Sequence, residues 1–402
     1  MTAERLAYHV PGRIEVLGKH TDYAGGRSLL CAVERGLEVT AAPRADARVR
    51  VVDARRGTEI EFTIGGDLRP AAGHWSNYPM TVARRLARDF PGDLKGADIA
   101  FTSDLPRAAG LSSSSALVVA TFVVLADVNG ITRPPEHLAG YLGAVESGRS
   151  FGTLAGDAGV GTAGGSEDHT AILLARPGAL VQYAFCPVRF ERAVRLPRDH
   201  VFVVGTSGVV ADKTGAARER YNQAARAVER MLEAWRRETG RADESLAAAL
   251  ASAPDAPGRF GALLRDAPAL RDRLEQFRSE SEVIVPAAGD ALARGDLATF
   301  GELVDRSQGL AERLLGNQVP ETVALARAAR ALGAVAASAF GAGFGGSVWA
   351  LVRAEGAGEF RAAWAARYAR EFPAAAARAE FFVTRAGPAL RRQAAGAADR
   401  AP

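Results

Sequence analysis

The chain has 402 residues, 48% apolar and 24% charged, with a formal net charge of +4. These values are ordinary for a soluble globular protein with room for a core and for two domains or more. Acidic and basic residues are interspersed, which argues against nucleic acid as a partner, and two cysteines, Cys31 and Cys186, give no disulfide framework. The first ten residues, MTAERLAYHV, lack a basic-then-apolar signal pattern. The longest mostly apolar run, 116–126, falls short of the roughly 20 residues of a bilayer span. The expectation is a cytoplasmic protein with no membrane partner; nothing in the sequence sets an oligomeric state.

In chain order, 7–10 reads as a short strand that Pro11-Gly12 interrupts, and Ile14, Val16 and Leu17 suggest a second strand. A polar loop over 18–26 carries Lys19, His20, Thr21, Asp22 and Tyr23 between glycines, close behind Arg13. Charged and hydrogen-bonding groups on a loop with apolar flanks suit a polar ligand, although a hydrated turn has the same composition. Segments 37–40, 49–52 and 59–63 alternate like strands. Trp75-Ser76-Asn77-Tyr78 precedes a helical pattern over 80–90, with Pro79 fitting the first turn. Segment 98–102 then reads as a strand.

Asp104 to Ala120, DLPRAAGLSSSSALVVA, is a loop of small residues feeding an apolar helix. The free N–H groups at such a helix start, with the positive end of its dipole, form an anion site. A first-turn hydroxyl can also ligate a hard cation such as Mg²⁺. Capping of the helix by a serine is the alternative reading. A second helix is expected near 135–146. Gly164-Gly165-Ser166-Glu167-Asp168-His169 then brings adjacent carboxylates and a histidine ahead of the apolar stretch 171–175. The second half is more helical, over 216–239, 287–293, 297–315 and 321–332, with a loop at 254–258. The tail from Pro388 is poor in large apolar residues and is expected to fray.

Gly341, Gly343 and Gly346 of GAGFGG fit G-x-G-x-x-G, the pattern of a dinucleotide site. An NAD-binding oxidoreductase is therefore the competing function from another class. Against it, 347–352 reads as a strand where that motif needs a helix. No G-x-x-x-x-G-K-[ST] occurs, so a Walker-type ATPase is excluded.

Three stretches stand together in chain order: PGRIEVLGKHTDYAGG, LPRAAGLSSSSA and GAGFGGSVWALV. They resemble the three motifs of the galactokinase branch of the GHMP small-molecule kinases. The resemblance also takes in Trp75 to Tyr78, the Gly-Ser-Glu-Asp segment and Asn317 to Glu321. It implies an α+β fold of two lobes with the active site between them. The N-terminal lobe is expected over 1–195, the C-terminal lobe over 196–387 and a flexible tail over 388–402. It implies a sugar and ATP as partners, and Mg²⁺-dependent phosphorylation of the anomeric 1-hydroxyl of galactose or a similar sugar.

By the same resemblance, Asp168 is the catalytic base and Arg13 the cation beside it, keeping Asp168 ionised and offsetting charge on the phosphoryl group. Gly110, Leu111, Ser112, Ser113, Ser114 and Ser115 hold the phosphates, and Ser114 and Glu146 are the Mg²⁺ ligands. Trp75 and Tyr78 line the adenine pocket. Lys19, His20, Asp22 and Tyr221 contact the sugar, and Gly341, Gly343, Gly345 and Gly346 close the site.

The chain departs from the family pattern on the sugar side. Lys19 stands where the family has Glu, and Gly-Gly-Ser-Glu-Asp-His stands where it has Cys-Gly-x-Met-Asp-Gln. The gap from Glu146 to Asp168 is also longer, by about ten residues. An ammonium can only donate hydrogen bonds. A uronic acid or another sugar modified at C6 is thus an alternative substrate; pairing of Lys19 with Glu167 is the other explanation.

Overall fold

The computed structural model describes residues 5–71, 73–106, 109–209 and 215–394. Its spine is a pair of long antiparallel strands, β1 (Leu6–Leu17) and β2 (Arg27–Pro43). β1 is one strand where two were expected. Pro11 lies opposite Gly36 at a shift of register, so its missing N–H falls where the ladder is already broken and pairing resumes at Arg13. The diverted Arg13 N–H instead donates to the Leu111 carbonyl at 3.2 Å, which fastens the first motif to the serine loop.

The sheet continues with β3 (Arg48–Asp53), β4 (Thr58–Thr63), β5 (Ala97–Ser103), β6 (Ala179–Ala184) and β7 (Arg189–Arg195). It forks at β2, where β6 pairs with residues 27–30 and β5 with residues 37–43. The helix Ser113–Asn129 packs on this sheet, and every residue from Ser115 to Ala126 is buried. Its composition is apolar all round because it is covered on all sides.

A second sheet holds β8 (His200–Thr206), β9 (Ala336–Phe340), β10 (Ser347–Arg353) and β11 (Phe381–Thr384), in the antiparallel order β11-β8-β10-β9. The boundary expected at 195 falls between β7 and β8. The chain then returns to the first sheet: β12 (Arg391–Arg392) pairs with β1 through Tyr8 and His9. The tail expected to fray from Pro388 is therefore held as far as residue 392, because β1 offers it an open edge; residues 395–402 lie outside the described residues.

Between β8 and β9 in sequence lies a helical unit: Gly215–Thr239, Leu246–Ala251, Ala256–Leu263 and Pro268–Arg278. It has its own apolar cluster, centred on Trp235 stacked against Phe260 at 4.6 Å. The loop expected at 254–258 is shorter than read, because Pro257 sits in the first turn of a helix that begins at Ala256. Two π-helical turns follow, Ser279–Ile284 and Ala311–Leu315. Among the described residues no helix is long and apolar enough to cross a membrane.

Candidate active site

Three loops meet in one cleft: the segment 13–22, the serine loop and the glycine loop between β9 and β10. At the centre is Arg13, buried on β1. Its Nε donates to Asp168 Oδ1 at 2.7 Å, its Nη2 lies 2.5 Å from the same oxygen, and its Nη1 donates to the Gly110 carbonyl. The other Asp168 oxygen accepts from Ser115 Oγ at 3.1 Å. Asp168 sits in the first turn of the helix Glu167–Leu174, where a carboxylate is favoured by the helix dipole. Burial disfavours the Arg13 charge, but Asp168, Glu167 and Glu15 outweigh it and hold its pKa above the usual value.

The serine loop presents backbone rather than side chains. Ser112 adopts a left-handed conformation (φ 60°) and its hydroxyl makes no cap on the helix Ser113–Asn129. This is not a serine-capped helix. The first-turn N–H groups are left for another acceptor, as at an anion site. Gly110, Ser112, Ser113, Ser114 and Ser115 line the cleft, while Leu111 is buried beneath it. Glu146, from the helix Pro135–Ser147, lines the same cleft with Oε2 3.1 Å from His169 Nε2. A hydroxyl and a carboxylate beside the uncapped amides of a helix start are oxygen donors of the kind that suit Mg²⁺, which takes few protein ligands.

Beyond the serine loop, Trp75 and Tyr78 line a wall with Leu37, Phe101, Leu105 and Leu117, and Trp75 meets the Phe101 ring edge-on at 6.2 Å. On the opposite side stand His20, Asp22 and Tyr221. Asp22 Oδ2 accepts from the Glu167 amide at 3.1 Å, and burial pushes its carboxyl above the usual range. Tyr221 lies 5.2 Å from the His20 ring, with its hydroxyl over Gly164. His20 is held left-handed (φ 58°). Its Nε2 pairs with the Ala342 carbonyl at 3.1 Å and its Nδ1 with the Tyr23 hydroxyl at 2.8 Å. Burial and the nearby Arg273 push its pKa down to about 3, so the ring is neutral: Nε2 donates to Ala342 and Nδ1 accepts from Tyr23. His20 thus ties the first loop to the glycine loop.

Lys19 is placed elsewhere. It is 1% exposed, and its ammonium donates to Ser307 Oγ at 3.1 Å rather than reaching the cleft or Glu167. The expected contacts of Lys19 with a sugar or with Glu167 are both corrected by this geometry. The cause lies in the π-helical turn Ser279–Ile284. Glu280 Oε1 accepts from the Gly18 amide at 2.8 Å and from Ser307 Oγ at 2.9 Å, which draws the loop and its lysine inward.

The glycine loop joins two antiparallel strands, so the dinucleotide reading of GAGFGG fails: that motif requires a strand followed by a helix. Gly341, Gly343, Gly345 and Gly346 all have positive φ. At Gly343 any Cβ would stand 2.3 Å from the Asn317 carbonyl. The Gly341 amide donates to Glu15 Oε2 at 3.3 Å.

Sequence reasoning missed Glu15, Arg273 and Glu280. Glu15 carried a signal, because residues two apart on a strand share a face and Glu15 therefore follows Arg13 inward. Arg273, whose guanidinium donates to the His20 carbonyl at 2.5 Å, and Glu280 carried none. Their partners lie more than 250 residues away in sequence.

Residues 2–43 match the galactokinase galactose-binding signature, 77–175 the GHMP kinases N terminal domain and 290–370 the GHMP kinases C terminal domain. The chain is 34% identical to the galactokinase of Chloroflexus aggregans over 89% of its own length and 87% of that protein. It is 33% identical to the galactokinase of Chloroflexus aurantiacus over the same shares. Its fold superposes with a TM-score of 0.82 on Lactococcus lactis galactokinase complexed with galactose, at 25% identity, covering 98% of this chain and 96% of that one. These similarities make the chain a sugar kinase. The chain belongs to the GHMP kinases, in their galactokinase branch.

Proposed function

We propose that this protein transfers the γ-phosphoryl group of ATP to the anomeric 1-hydroxyl of galactose, and that residues 1–195 and 196–387 act as its two lobes. The observation that carries the reading is the Arg13–Asp168–Ser115 constellation at the mouth of the serine-loop helix. Asp168 is bonded on both oxygens yet faces the cleft, where it can accept a hydroxyl proton. Arg13 offsets charge on the transferring group and orients Asp168. The first-turn amides of the helix Ser113–Asn129 bind the phosphates, and Trp75 and Tyr78 stack on the adenine. Asp22 and Tyr221 bind sugar hydroxyls, with His20 holding the loop that carries Asp22. Ser114 and Glu146 would hold Mg²⁺, which when bound would neutralise phosphate charge. The Lys19 ammonium, buried against Ser307, is not directed at a C6 carboxylate, which favours the neutral sugar over a uronate.

A sugar panel with Mg-ATP, reading ADP release and locating the phosphate on any product by NMR, tests this. Galactose 1-phosphate is the expected product. Turnover confined to another sugar, or phosphate at another hydroxyl, would overturn the substrate assignment.

A further inference from the structure

Directly behind the Arg13–Asp168 pair lies a second pair of acidic side chains. Arg13 and Glu15 point to the same side of β1, and Glu167 and Asp168 are neighbours in the first turn of their helix. The strand and the helix therefore meet twice, as Arg13 with Asp168 and as Glu15 with Glu167. The second meeting sets two carboxyl groups against each other, both buried, with Glu15 2% and Glu167 6% exposed. Two buried carboxylates set against each other disfavour double ionisation, which a proton held between them relieves.

The surroundings fit a single shared proton. Glu167 Oε2 accepts from Ser28 Oγ at 2.6 Å, and Glu15 Oε2 accepts from the Gly341 amide at 3.3 Å. Glu15 Oε1 is buried with no donor directed at it. The charged groups facing Glu15 are Arg13 from its own strand, Lys19 from the following loop, Glu280 from the π-helical turn and Glu167 from the helix. Those facing Glu167 are Glu15, Asp22, Arg13 and Asp168. Burial pushes the Glu15 carboxyl up to about 7 and that of Glu167 well above the usual range.

We propose that Glu15 and Glu167 are positioning residues which share one proton behind Arg13, and that in this state they keep Arg13 on Asp168 and the glycine loop, through Gly341, against both. Loss of the shared proton leaves Arg13 drawn between Asp168 and a doubly ionised pair. It also adds negative potential at the base and at the phosphate site, so turnover falls as pH rises. The catalytic half of this inference rests on the sugar-kinase reading.

Two measurements on the full chain decide it. Infrared difference spectroscopy with isotope-labelled glutamate reads the C=O band of a protonated carboxyl. The band is expected in wild type at neutral pH, lost on titration to alkaline pH, and absent in Glu15→Gln/Glu167→Gln. The pH profile of kcat/KM is expected to fall on its alkaline side in wild type. In Glu15→Gln, which keeps the shape but cannot ionise, that limb moves up by about one pH unit or more. A wild-type chain with no protonated glutamate at neutral pH overturns the proposal, even if neither variant folds. So does a folded Glu15→Gln protein with an unmoved alkaline limb. Because the infrared measurement needs no turnover, failure of the kinase assignment would leave it decisive.

Discussion

The wall built from residues 13–22 and 165–168 and the wall built from residues 75–78 and 109–115 face one cleft but are organised differently. In the first, side chains hold one another. Arg13, Glu15, Lys19, His20, Asp22 and Glu167 are all buried, and each has a charged or hydrogen-bonding partner contributed by another segment. In the second, backbone amides and half-buried aromatic rings line the cleft, and no serine side chain caps the helix. A polyanion with mobile phosphates can be met by a dipole and a row of N–H groups, which tolerate small shifts. Discrimination among hydroxyls needs groups fixed in advance, and buried charges fix one another only when every partner is present.

Changes to the first wall should therefore register in stability, and changes to the second in binding. The largest effect is expected from Lys19→Glu, which removes a buried cation and sets a carboxylate beside Glu15 and Glu280. A loss of about 3–5 kcal/mol is the usual result of breaking such an arrangement. Urea unfolding should show it, with Lys19→Met losing less. A Lys19→Glu protein of wild-type stability and altered sugar choice would return Lys19 to the substrate.

His20 gives a pH signature of the same wall. Its folded pKa of about 3 lies below the ordinary 6.5, so between these values the unfolded chain binds a proton that the folded one refuses. Its contribution to stability is complete above pH 6.5 and is lost as pH falls toward 3. In His20→Asn the dependence of unfolding free energy on pH should be shallower in that window, by up to about 1.4 kcal/mol per pH unit. Identical slopes would mean that His20 is not held neutral.

The smallest effect is expected on the second wall. Trp75→Ala removes one stacking face, commonly about 0.5–1.5 kcal/mol, so KM for ATP should rise by about two- to tenfold. Stability and the KM for sugar should stay near wild type. A rise confined to the sugar KM would reverse the assignment of the two walls.

What the sequence disclosed follows the same division. The serine loop was legible as a local pattern with its own chemistry, whereas the glycine loop and the Arg13 and Asp168 positions were picked out by their resemblance to the family's motifs. The helix 113–129 was legible because a continuous apolar run of that length has few other uses. The continuity of β1 through Pro11 was not, since it depends on a register shift against Gly36 that only the partner strand reveals. The fate of Lys19 was not either. Its position suggested a ligand or Glu167, but it is decided by Glu280 and Ser307, which reach it from helical turns more than 250 residues along the chain. Buried charge pairs are tertiary facts, and a single strand or loop carries half of each.

The account stands on Asp168 as the proton acceptor, and one comparison addresses it most directly: single-turnover transfer from Mg-ATP to galactose by wild type and by Asp168→Asn, with nucleotide affinity measured in parallel. The expected result is galactose 1-phosphate from wild type, a fall in rate of about 10² or more in the variant, and unchanged nucleotide binding. Near-normal transfer by a folded Asp168→Asn protein would contradict it.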